Sequence, residues 1–386
     1  MNFDLNQEQR AFQDAARSFA EQELQPLAAQ WDADGFFPRA VIEKAGDMGF
    51  CGLYSPESAG GLGLSRLDAS IIFEELAAAD PSTTAYLSIH NMATWMLCSW
   101  GSAAVRERWA SALTSGRQLA SYCLTEPGAG SDAAALRTKA SAVDGGYRIN
   151  GAKAFISGAG ASDVLIVMAR TGAAGAAGIS AFVVPAGNAG ISYGRLEEKL
   201  GWHSQPTRAV FFEDVWVPQD HLLGEVGQGF RLAMRGLDGG RINIAACSIG
   251  AAQGALNAAQ TYVRERRQFG HLLADFQSVQ FKLADMLTDL IAARQLVRMA
   301  AVKLDEQAVH ATAYCAMAKR FATDVGFQVC DEAMQICGGN GYIREYPLER
   351  LMRDARAHKI VEGTNEIMRS IIARQFLNTL STGELR

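Results

Sequence analysis

Residues 122–132 read YCLTEPGAGSD, and the chain changes its periodicity across them. On the N-terminal side, Asn6 and Gln9 form a capping-box variant, and Phe12, Ala16, Phe19, Ala20 and Leu24 then recur at helical spacing. The pattern continues through PRAVIEKAGDMGF, SRLDASIIFEELAAADP, TAYLSIHNMATWMLCSW and SAAVRERWASALTSG, interrupted at Pro38, GGLGLS and Gly101. On the C-terminal side the runs YRINGAKAFIS, DVLIVMART, ISAFVVPA, GISYGRL and RAVFFEDVWVP are β-rich and bounded by turns. Asp144-Gly145-Gly146 suits a hairpin turn, because glycine accepts positive φ at little cost. No helix separates these runs, which disfavours a parallel Rossmann sheet. From about Gly229 the helical period returns in long, alanine-rich stretches that permit close packing and suggest faces buried against other subunits. The expected fold is α+β, with an all-α N-terminal domain (1–120), a small central β domain (121–228) and a C-terminal four-helix bundle (229–386).

At 386 residues and 49% hydrophobic content, the chain can bury a large interior divided over two or three domains. Its 36 basic side chains face 41 acidic ones, so no long-range positive field collects nucleic acid or an anionic membrane. A small anionic ligand still fits, since a few arginines and helix N-termini bind phosphate in a mildly acidic protein. Seven cysteines without a CxxC pair argue against a disulfide framework or a zinc knuckle and point to a reducing compartment. His90, His203, His221, His271, His310 and His358 have no paired ligand spacing, so no metal site is expected. The start MNFDLNQEQRAF has no features of an export or transit segment, and no apolar run reaches the roughly 18 residues of a membrane span. A soluble, cytoplasmic protein is expected.

The glycines of YCLTEPGAGSD let backbone approach a ligand, and successive N–H groups there can form an anion-binding nest. Gly128 to Ala133 also satisfies a loose GxGxxG/A pattern, which is rejected because no βαβ unit surrounds it. Further on, QICGGNGY (335–342) is followed by Glu345, Arg350 and Asp354. The two strings, in this order in an α–β–α chain, resemble the two signatures of the acyl-CoA dehydrogenase family. The similarity continues through FISGAG (155–160), RERRQFG (264–270), FQSVQ (276–280) and RDARAHKIVEGTNEIMR (353–369), and covers roughly Leu5 to Arg374. Within the family, GLSRLDAS (63–70), STTAYLSIHNM (82–92), GWHSQPTRAVFFED (201–214) and GGRINIAACSIGAA (239–252) resemble the branch that oxidises isobutyryl-CoA in valine breakdown.

The resemblance implies an FAD-dependent enzyme that acts on an acyl-CoA, hands electrons to electron-transfer flavoprotein and assembles as a homo-oligomer, usually a tetramer. By matching position, Tyr122, Cys123, Leu124, Thr125, Glu126, Pro127, Gly128, Ala129, Gly130 and Ser131 would line the flavin, with Thr125 at its pyrimidine edge. Phe155, Ile156 and Ser157 would cover the ring. Arg266, Phe269, Phe276 and Gln277, with Gln335, Ile336, Cys337, Gly338 and Gly339, would hold the pyrophosphate and adenosine across a subunit interface. Thr364, Asn365 and Glu366 would also touch FAD. Ser131, Asp238, Gly239, Gly240, Arg241 and Arg374 match positions at the CoA thioester or its nucleotide, with Asp238 standing where Asn is expected. Thr84, Ala85 and Ser88 are candidates for lining the acyl end.

Removing hydrogens from Cα and Cβ of a saturated thioester needs a base for the α-proton and an acceptor for the β-hydride, and no side chain accepts a hydride. The resemblance assigns the hydride to flavin N5 and the proton to Glu362, in IVEGT. Some branches carry a non-acidic residue there and place their Glu where this chain has Gly240, so here only Glu362 can serve. The competing functions are a short straight-chain or 2-methylbutyryl-CoA dehydrogenase, an acyl-CoA oxidase, which generally carries a longer C-terminal extension, and a non-catalytic flavin-binding scaffold, against which the intact Glu362 argues.

Overall fold

The computed structural model describes residues 4–378. Helix α1 (Gln7–Phe19) begins with the expected reciprocal cap, in which Gln9 N donates to Asn6 Oδ1 (2.8 Å) and Asn6 N to Gln9 Oε1 (3.1 Å). The chain continues through a π-helical turn (Ala20–Leu24), α2 (Ala28–Asp34), α3 (Arg39–Asp47), α4 (Arg66–Ala79), α5 (Pro81–Trp100) and α6 (Ala103–Thr114). Ser65, Asp80 and Ser102 cap the last three by accepting a backbone N–H. Asp80 also receives Arg350 from the C-terminal region at 3.2 Å, which ties the two helical parts together.

The central sheet is built from β1 (Ala120–Cys123), β2 (Lys139–Val143), β3 (Gly146–Ser157), β4 (Val164–Arg170), β5 (Ile179–Pro185), β6 (Ile191–Tyr193), β7 (Thr207–Pro218) and β8 (Leu222–Leu223). Its order is β6-β7-β3-β2-β4-β5-β8, with β1 parallel to β4. The hairpin β2–β3 turns at Asp144-Gly145, where Gly145 has φ 71° and Val143 pairs with Gly146. β4 and β5 are buried on both faces, which explains their unbroken apolar runs.

The bundle comprises α7 (Gly229–Glu265), α8 (Gln277–Asp305), α9 (Ala311–Cys337), the short α10 (Gly339–Tyr342), α11 (Leu348–His358) and α12 (Asn365–Asn378). Its core is alanine-rich, with Ala251, Ala255, Ala259, Ala300, Ala318 and Ala322 among the residues that let α7, α8 and α9 approach closely. These alanines are therefore buried within the chain. The apolar surface left outside is carried by larger side chains, including Phe281, Leu287, Ile291 and Met299 on α8. Because α7 also packs on α4, α5, β4 and β5, it contacts all three regions and is the element on which a shared site can be built.

Candidate active site

After α11 the chain reverses into α12 through residues 359–364, where two consecutive residues, Glu362 (φ 58°) and Gly363 (φ 90°), are left-handed. That conformation costs a non-glycine residue about 1–2 kcal/mol, so the loop has to be held from outside. Arg241 Nε donates to the Glu362 carbonyl (3.4 Å), and Lys319 Nζ donates to the Gly363 carbonyl (2.7 Å) and to Asn365 Oδ1 (2.9 Å). Thr364 Oγ1 caps α12 by accepting from Ile367 N at 3.3 Å.

The Glu362 side chain lies on Gly240 of α7, so close that a Cβ built there would stand 2.7 Å from its Cδ. The residue is half-buried, and its Oε2 is closed to solvent without a hydrogen-bond partner. Burial pushes its pKa up to about 7 against the opposing charges of Arg241 and Lys319. A carboxylate poised near neutrality in a poorly solvated place is equipped to take a proton from a weak carbon acid. Tyr122 from β1 and Tyr54 from the first helical region both sense it: burial raises each phenol, and the Glu362 charge adds to the effect. Glu362 thus interacts electrostatically with groups from all three regions.

Arg241 is 4% exposed and donates Nη1 to Asp238 Oδ1 at 2.6 Å, while Thr312 Oγ1 donates to Asp238 Oδ2 at 2.7 Å. Both oxygens of Asp238, expected at the CoA thioester or its nucleotide, therefore have partners within the chain.

The segments 122–131 and 155–157 are stitched together. Ala154 N donates to the Thr125 carbonyl (2.9 Å), and Ser121 Oγ to the Ser157 carbonyl (2.6 Å). Buried Lys153 donates to the Leu124 carbonyl (3.1 Å) and to Glu126 Oε1 (2.7 Å), and Glu126 also accepts from Arg137 N and Thr138 N. The Glu126 carboxylate shapes this loop, and Cys123 and Ile156 are buried in the sheet core. What the pair of segments leaves open is Pro127, Gly128, Gly130, Ser131 and Phe155, the last 67% exposed at φ 57°. A Cβ on Gly128 or Gly130 would meet nothing within 4 Å, so the loop presents a bare backbone edge.

The remaining predicted residues lie elsewhere. Arg266, Phe269 (92% exposed), Gln277, Gln335, Gly338 and Gly339 are on the surface, while Cys337 is buried in the bundle core, with Ile336 packed against it. Arg266 follows the end of α7, and Gly240 lies about 37 Å from that end at 1.5 Å per residue. Asn365 is buried by Lys319 and Thr323, Glu366 is exposed, and Arg374 is exposed on α12. Sequence reasoning missed Lys319, a cation on the buried stripe Cys315, Lys319, Ala322, Gly326, where a charge among small residues was the available signal. It also missed Arg66, whose guanidinium lies 3.5 Å from the Tyr54 ring centroid and beside Gly239. A polar groove of about 1000 Å³ between α1, α4, α7 and α8 mixes Arg17, Arg294 and Arg298 with Glu74 and Glu75 and does not include Glu362.

A helical domain, a sheet and a helical bundle converging on one poised carboxylate form the architecture of the three-domain acyl-thioester dehydrogenases. Residues 6–117, 121–215 and 227–377 match, in turn, the families described as acyl-CoA dehydrogenase N-terminal, middle and C-terminal domains. The chain belongs to the acyl-CoA dehydrogenase family. It is 51% identical to the mitochondrial isobutyryl-CoA dehydrogenase of Dictyostelium discoideum over 96% of this chain and 89% of that protein. Among solved structures, butyryl-CoA dehydrogenase from Megasphaera elsdenii superposes with a TM-score of 0.94 at 40% identity, covering 98% of this chain and all of that one. An FAD complex of PigA superposes with a TM-score of 0.93 at 29% identity, covering 97% and 99%. No helix among the described residues is long and apolar enough to cross a membrane.

Proposed function

We propose that this acyl-CoA dehydrogenase removes the α and β hydrogens of a short branched substrate, isobutyryl-CoA, giving methacrylyl-CoA in valine catabolism, with Glu362 as the base for the α-proton. The observation that carries the assignment is the sealed, unpartnered Oε2 of Glu362, held near neutrality between the first helical region, the sheet and α7. Likeness to the Dictyostelium enzyme supports the branched substrate.

FAD, when bound, supplies the hydride acceptor that no side chain provides. The chain fits it: Gly128 and Gly130 leave the loop backbone uncovered, Phe155 offers an exposed ring, and the buried Tyr122 hydroxyl has no partner. Tyr122 to Ser131 and Phe155 to Ser157 would hold the flavin ring. Arg266, Phe269, Phe276, Gln277 and Gln335 to Gly339 would hold the nucleotide end. The length of α7 between the Arg266 group and Gly240 exceeds what one flavin spans, which supports a second protomer completing each site and hence a homo-oligomer, a tetramer in our reading. Exposed apolar side chains along α8 fit such an interface. Asp238 orients Arg241, and Arg241 in turn fixes the peptide of the base. Electron-transfer flavoprotein is the proposed acceptor, and seven free, buried thiols suit a reducing compartment such as the cytoplasm.

Steady-state assays with isobutyryl-, 2-methylbutyryl-, butyryl- and isovaleryl-CoA test the substrate. The highest kcat/KM is expected with isobutyryl-CoA, and a clear preference for butyryl-CoA would remove the valine-pathway assignment.

A further inference from the structure

Lys319 lies in the middle of α9 with 0% exposure, on a face otherwise made of Cys315, Ala322 and Gly326. An ammonium group in such a place costs several kcal/mol unless its donors are met. Its acceptors are the Gly363 carbonyl at 2.7 Å and Asn365 Oδ1 at 2.9 Å, and Asn365 Nδ2 in turn donates to Thr323 Oγ1 and Asp324 Oδ1, both at 3.0 Å. The first acceptor lies in the loop that carries Glu362, and the second opens α12 directly after it. From the opposite side, α7 sends Arg241 to the carbonyl of Glu362 itself. A loop with two successive left-handed residues is thus gripped by two cations from two helices, and only one of them was legible as a site residue.

We infer that Lys319 is a positioning residue for the base, its ammonium anchoring the Glu362–Asn365 loop to α9 and its charge favouring the ionised carboxylate that takes the substrate proton. This rests on the assignment of Glu362 as base. The groups facing Glu362 are Arg241 from α7, Lys319 from α9, Tyr122 from β1 and Tyr54 from the first helical region. Besides Glu362, Lys319 faces Arg241, Asp324, Glu366 and, from α11, His358. Burial pushes Glu362 up, and only Arg241 and Lys319 pull it down. Burial pulls the Lys319 ammonium itself down to about 7 while the Glu362 charge holds it up, so the two titrate as a pair; removing the lysine leaves burial less opposed and moves the ionisation of Glu362 to higher pH.

The test is the rate of anaerobic flavin reduction by saturating acyl-CoA as a function of pH, in the FAD-loaded enzyme. In K319Q the midpoint is expected to rise by about half a unit or more, with the rate at neutral pH reduced roughly three- to tenfold and KM changed less than about twofold. An unmoved midpoint in flavin-loaded K319Q overturns the inference, because a purely structural role lowers the rate at every pH without displacing the profile. K319R keeps the charge, so its midpoint is expected at or below that of the wild type; a rise there overturns the inference too, and K319R decides alone if K319Q takes up no flavin. A wild-type enzyme whose flavin no short acyl-CoA reduces would instead sink the base assignment, an outcome distinct from either.

Discussion

The carboxylate of Glu362 occupies the space that a side chain on Gly240 would fill: a Cβ there would lie 2.7 Å from Cδ and 3.1 Å from Oε1. Residues 122 positions apart in sequence thus address one point, so a carboxylate carried on residue 240 would reach the place that Glu362 fills. Gly240→Ala should push the carboxylate aside, lowering kcat by about tenfold or more while flavin stays bound. The exchange G240E with E362G should recover activity above that of E362G alone. Activity in the double variant no higher than in E362G would mean that the two positions do not share a function.

Glu362→Gln removes the proton acceptor and keeps the shape. Loss of general-base catalysis typically costs 10²–10⁴-fold, so kcat is expected to fall by about that range while the flavin absorbance and acyl-CoA binding persist. Titration of the variant with acyl-CoA, followed by flavin spectral shifts, checks the binding; unchanged turnover would remove Glu362 as base.

Two pH effects follow from Glu362, whose ordinary pKa of 4.5 is raised to about 7 by burial against Arg241 and Lys319. The ionised form is the active one, so turnover should rise with pH through about 7. Stability runs the other way. A raised carboxyl contributes fully below 4.5, where both states are protonated, and its contribution is lost as pH climbs through 7. E362Q should therefore match the wild type in stability in acid and exceed it above neutrality, by about 3 kcal/mol at most, with a correspondingly higher thermal midpoint. A constant difference between the two across pH would contradict the shift.

The three-region fold was legible because its signals are local: the Asn6–Gln9 cap, the Asp144-Gly145 turn and the unbroken apolar runs of β4 and β5 each depend on a few neighbouring residues. The glycine loop was legible as a ligand-facing backbone edge, but Glu362 and Arg241 only through resemblance, since spacing alone cannot bring Gly240 under residue 362. The stripe of small residues around Lys319 marked it as buried, but not what it holds, because its partners Gly363 and Asn365 lie more than 40 residues away. Asp238 was read as facing ligand, and its engagement with Thr312, 74 residues on, could not be deduced from helical periodicity.

The ion pair of Lys153 and Glu126, 0% and 7% exposed at 2.7 Å, fixes the loop that precedes the bare glycine edge. Burial and pairing oppose each other there: burial raises the Glu126 carboxyl, but Lys153 together with the Thr138 and Arg137 donors outweighs it and leaves the group below its ordinary range. Lys153→Met deletes the cation yet leaves the carboxylate, and breaking one side of a buried pair costs about 3–5 kcal/mol. The variant should unfold at lower temperature and release its flavin more readily, because the Leu124 carbonyl loses a donor and the loop loses its anchor. Adding Glu126→Gln removes the stranded charge and keeps one acceptor oxygen, though the amide cannot accept from both Arg137 N and Thr138 N, so K153M/E126Q should regain only part of the stability that K153M loses. Thermal unfolding followed by flavin fluorescence reads both quantities in one scan. If K153M alone retains flavin and melts with the wild type, the pair does not hold the loop, and the glycine edge owes its shape to the Thr125–Ala154 bond instead.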